Sequence, residues 1–177
     1  MEEQKIKKLL KEIEGGFKDN KAIIKSALEK ELENGNVIRY ENLLCVVEKY
    51  EDYINEKGII YELKKYALVC SGNPEITLNV MLDSIIYDNT VTIACSGCKI
   101  INEVIYSIIK ESIKTLKLKN TWIDYNEEYN EKYIKDNQNK FDEITFVGDY
   151  FEFESFKHGI TTALNYNNYG YIKLYID

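Results

Sequence analysis

From about Tyr66 onward, short apolar runs alternate with longer amphipathic ones, and this alternation constrains the fold more than any other feature of the sequence. The runs Ala67-Leu68-Val69-Cys70, Val91-Thr92-Ile93-Ala94, Thr121-Trp122-Ile123 and Ile144-Thr145-Phe146-Val147 read as strands covered on both faces, as parallel strands are. Helical stretches lie between them at about 75–88, 98–117 and 127–138. The second carries Ile101, Val104, Ile105, Ile108 and Ile109 on one stripe, with Lys110, Glu111 and Lys114 opposite. Strand and helix in this succession close through right-handed crossovers, which predicts an α/β fold with a doubly wound parallel sheet. A shorter helix near 149–157 and a strand near 161–165 follow. The segment Tyr171-Ile172-Lys173-Leu174-Tyr175-Ile176-Asp177 alternates strictly and predicts a strand with one wet face. Such a strand pairs within its own sheet or with a second chain, so a homodimer or a heteromeric partner through this strand is expected.

The first third has helical periodicity throughout. Ile6, Leu9, Leu10, Ile13 and Phe17 fall at three- and four-residue spacings, as do Ile24, Ala27 and Leu28, and then Leu43, Leu44, Val47, Tyr50 and Ile54. Breaks at Gly15-Gly16 and Asn34-Gly35-Asn36, with a stop at Gly58, divide it into three helices. The expected organisation is a helical region over 1–64 packed on a Rossmann-like α/β domain over 65–177.

At 177 residues, 45% hydrophobic and 30% charged, the chain has the material for one domain with a substantial core. Its net charge of −7, from 23 basic and 30 acidic residues, argues against nucleic acid, whose binding requires clustered cations. Ten acids against Lys132, Lys135 and Lys140 between Asp124 and Glu154 read as a solvated face. No apolar run approaches the roughly 20 residues that span a bilayer, and the charged Met1–Lys11 segment leads into no apolar leader core, so a cytoplasmic protein without membrane association is expected. One histidine, His158, and four cysteines, of which only Cys95 and Cys98 are close in sequence, make a structural metal unexpected. His158 precedes Gly159 with no acidic or nucleophilic partner at a readable spacing, so it reads as a loop residue, and Trp122 reads as core.

In a doubly wound sheet, ligands bind beyond the carboxyl ends of the strands, where helix N-termini present backbone N–H groups. Three junctions there carry candidate residues. In Ser71-Gly72-Asn73-Pro74-Glu75, Pro74 suits the first helical turn and Asn73 its N-cap, from which the Asn73 amide can cap the helix or donate to a ligand oxygen. In Ala94-Cys95-Ser96-Gly97-Cys98-Lys99, a Cys-x-x-Cys opens a helix, where the positive helix end lowers a thiolate pKa. This turn resembles the thioredoxin active site but lacks the later proline that faces the dithiol there, because Pro74 precedes the motif. In Phe146-Val147-Gly148-Asp149-Tyr150, Gly148 permits close backbone approach of a phosphate, while Asp149 suits a helix cap and opposes a pyrophosphate.

Taken in order, the junctions resemble the cofactor-binding domain of the aldehyde dehydrogenase superfamily, in particular its gamma-glutamyl phosphate reductase branch. The resemblance rests on Asn73-Pro74-Glu75-Ile76-Thr77, on Asp88-Asn89-Thr90-Val91-Thr92-Ile93, on Phe141 to Asp149, and on Tyr169-Gly170-Tyr171-Ile172-Lys173-Leu174-Tyr175-Ile176-Asp177, and covers about residues 66–177. It implies an oxidoreductase-type domain that holds NAD or NADP, with Asn73 near the oxyanion and Ser96, Gly148 and Asp149 on the cofactor side. It also implies that the nucleophilic cysteine belongs to a second domain, since none of Cys45, Cys70, Cys95 and Cys98 corresponds to it. Where many members carry a lysine toward the ribose, this sequence has Ala94 or Cys95. Where they carry a small hydroxyl residue it has Asp149, and the family's glutamate falls near Asn165. The expectation is a non-catalytic binding or assembly module with weak or lost NAD(P) affinity. The alternatives are a dithiol oxidoreductase with Cys95 as nucleophile and Cys98 as resolving thiol, or a subunit completing a partner's site.

Overall fold

The computed structural model describes residues 3–31, 38–59, 66–71, 73–94, 97–126, 128–129, 131–137, 140–148 and 172–176. Three helices come first: α1 (Glu3–Asp19), α2 (Lys21–Glu31) and α3 (Tyr40–Lys57). Then follow β1 (Tyr66–Ser71), α4 (Pro74–Ile86), β2 (Thr90–Ala94), α5 (Lys99–Thr115), β3 (Ile123–Tyr125), α6 (Glu131–Asn137), β4 (Glu143–Gly148) and β5 (Ile172–Ile176).

The strands form one sheet in the order β3-β2-β1-β4-β5, with every pair parallel. β1 is central, aligning Cys70 with Ala94 of β2 on one side and with Phe146 of β4 on the other. Asp142 reinforces that second pairing, its backbone N–H donating to the Tyr66 carbonyl at 2.7 Å and its carboxylate accepting the Tyr66 N–H at 2.9 Å. The terminal strand expected from the alternation is β5, which pairs within this sheet against β4. The helix near 149–157, the strand near 161–165, His158 and Asn165 lie outside the described residues.

α4 packs on β1 and β2, α5 packs beside α4, and α1, α2 and α3 lie over α4 and α5. The stripe of α1 explains this layering: Ile6, Leu9, Leu10, Ile13 and Phe17 are all buried, each side chain contributing about 1.5–3 kcal/mol. They join Leu43, Val47 and Ile54 of α3, Leu78 and Met81 of α4, and Ile101, Ile105 and Ile109 of α5 in one buried cluster. The Tyr40 hydroxyl donates to the Phe17 carbonyl at 3.2 Å, fastening the start of α3 to the end of α1. At the other end α3 stops at Gly58, whose φ of +70° suits glycine.

Two boundaries differ from expectation. Gly15 and Gly16 do not break α1, which runs through them to Asp19. A Cβ on Gly16 would stand 2.7 Å from Cγ2 of Ile108, so this glycine permits close approach of α1 to α5 rather than a turn. The third strand starts at Ile123, leaving Thr121 and Trp122 before it. Trp122 is nevertheless core, 2% exposed, with its indole N–H donating to Asp88 at 2.9 Å. Among the described residues, no helix is long and apolar enough to cross a membrane.

Candidate functional site

The parallel register brings the carboxyl ends of β1, β2 and β4 to one edge of the sheet, and the candidate residues Asn73, Cys98 and Gly148 follow or end those strands. Cys95, Ser96 and Asp149 belong to the same junctions but lie outside the described residues.

At the first junction Asn73 is the N-cap of α4. Its extended backbone turns the side-chain oxygen onto the N–H groups of Glu75 at 3.0 Å and Ile76 at 3.3 Å. Pro74 takes the first helical position, where a missing N–H costs nothing. Thr77 is buried and donates its hydroxyl to the Asn73 carbonyl at 2.9 Å, locking the turn. Of the two roles open to Asn73 in the sequence, helix capping is the one its oxygen performs.

The second junction holds a residue that the sequence did not single out. Glu31, at the end of α2, accepts the backbone N–H of Ile100 at 2.8 Å and of Ile101 at 3.1 Å through its two carboxylate oxygens. A carboxylate therefore closes the positive end of α5, the place where an external anion would bind. Cys98 is the N-cap of α5 in a left-handed conformation, φ 50° and ψ 42°, and its side chain makes no capping bond. Glu31 thus takes up two of the N–H groups that make up the positive end of α5 beside Cys98. Asn102, wholly buried in the next turn, donates its amide to the Gly97 carbonyl at 3.2 Å, while its Oδ1 has no hydrogen-bond partner. A polar residue on the apolar stripe of α5 was the signal for Asn102. Glu31 had none, because its partners lie far along the chain.

At the third junction β4 ends on Gly148, paired with Ile176 of β5. Among the described residues, no group of three or more His, Cys, Asp or Glu side chains could hold a metal ion. The two long helices leaving this edge, α4 and α5, both have first-turn N–H groups taken by side chains of the chain itself.

No protein-family model matches the sequence, and no curated protein matches it significantly. Solved structures do match. A Bacillus subtilis protein assigned as an aldehyde dehydrogenase superposes on 100% of this chain and 43% of its own, with TM-score 0.69 and 14% identity. Gamma-glutamyl phosphate reductase from Saccharomyces cerevisiae matches 98% of this chain and 50% of its own, with TM-score 0.65 and 13% identity. An NAD-dependent benzaldehyde dehydrogenase from Corynebacterium glutamicum matches 99% of this chain and 42% of its own, with TM-score 0.64 and 10% identity. The chain thus has the fold of part of an aldehyde dehydrogenase, and spans half or less of the length of these proteins.

Proposed function

We propose that this chain is a doubly wound, Rossmann-like cofactor half of aldehyde dehydrogenase architecture that serves as a binding or assembly module, with its affinity for NAD(P) weakened or lost. The observation that carries the reading is Glu31, whose carboxylate holds the N–H groups of Ile100 and Ile101 at the edge where such sheets take their ligands. A dinucleotide brings anionic phosphates to that edge and meets a carboxylate instead of open donors. Asn73 closes α4 in the same way, which leaves residues from Gly148 onward to meet the phosphates. Asp149 follows directly there and adds a second anion, while Ala94 or Cys95 stands where many members carry a cation. Three such changes at about 1 kcal/mol each multiply to about a hundredfold in affinity.

Chemistry of the family type needs a thiolate nucleophile and an oxyanion donor. Asn73 matches the second, but none of Cys45, Cys70, Cys95 and Cys98 matches the first. The dithiol alternative has Cys95 as its nucleophile and relies on the positive start of α5 to activate it, where Glu31 already accepts the N–H groups of Ile100 and Ile101. An assembly role is supported by β5, which among the described strands is bonded only to β4 and offers its outer edge to a second copy or to a partner that supplies the catalytic residues.

Calorimetric titration with NAD and NADP tests the reading, using the natural chain and a variant carrying Glu31→Ala and Asp149→Ser. No binding by the natural chain, with measurable affinity in the variant, is the expected result. Micromolar binding by the natural chain, or reduction of an aldehyde or acyl phosphate by it, overturns the proposal. For the assembly role, a clean monomer in light scattering at high concentration counts against β5 pairing between copies.

A further inference from the structure

We draw no further inference here: the strongest candidate, the wholly buried Asn102 near the start of α5, whose Oδ1 has no hydrogen-bond partner, belongs to the second junction already described, and nothing among the described residues shows what would bond to it.

Discussion

Glu31 and Ile100 lie 69 positions apart in sequence and 2.8 Å apart in space, joined by a carboxylate that accepts the first-turn N–H of α5. The contact ties the N-terminal helices to the edge of the sheet through a charged hydrogen bond. Glu31→Ala is expected to cost about 1–2 kcal/mol, the range for losing a helix cap together with its dipole term. Urea denaturation measures that loss, and hydrogen exchange at the amides of Ile100 and Ile101 should accelerate. Glu31→Gln keeps an acceptor without the charge and should fall between the two.

Adjacent glycines in α1 should respond to alanine in opposite directions. A Cβ on Gly15 meets nothing within 4 Å, so Gly15→Ala gains helix propensity and is expected to stabilise by about 0.5–1 kcal/mol. Gly16→Ala places its methyl 2.7 Å from Ile108 Cγ2 and is expected to destabilise by about 1–3 kcal/mol as the helices are forced apart. Thermal melts of the two variants check the pair, and equal shifts would contradict the close approach of α1 to α5.

The carboxyl of Glu51 is pushed up to about 7, first by burial and then by the hydrogen bond and charge of Glu14. The folded state therefore keeps a proton that the unfolded state releases above about 4.5, and stability falls as pH rises between these values. Glu14 shifts downward, held by Lys18 and by Glu51, so its opposite contribution is lost only below about 4.5. Glu51 is partly open to water, which leaves an effect of about 1 kcal/mol after screening. Glu51→Gln should match the natural chain near pH 5 and exceed its stability near pH 8, by denaturation at both values.

Both α4 and α5 are followed by a residue in the left-handed region, Asp88 at φ 52° and Lys117 at φ 54°. Lys117→Gly removes the strain of a side chain there and is expected to raise stability by about 0.5–1 kcal/mol. Asp88→Gly relieves the same strain but deprives the buried Trp122 indole of its acceptor, so a net loss of about 1 kcal/mol is expected. Calorimetric melting temperatures moving in opposite directions would bear this out.

Local relationships were legible and distant ones were not. The stripes of α1 and α5 could be read because their periods are set within one helix, and the Asn73 cap because its partners are two and three residues away. The glycine pair misled for the same reason: flexibility is a local property, whereas the need for Gly16 arises at Ile108 on another helix. Glu31 on α5, Tyr50 on Asp83 and Asp142 on Tyr66 are meetings that only the packed chain creates. Thus the order of strands and helices was readable, while the chemistry of the sheet edge changed once α2 was placed.

The central position of β1 has a bearing on how the molecule assembles in time. On one side β1 joins β2 across a single helix, and on the other it waits for β4, which lies beyond two further strand and helix units. Nearby pairings close small loops and form early, whereas distant parallel pairings close large ones and form late. The block of β1, β2 and β3 with α4 and α5 is thus the natural nucleus, and β4 with β5 a wing added to it. In native-state exchange the wing should open at lower free energy than the nucleus, with β1 the seam along which the molecule first comes apart.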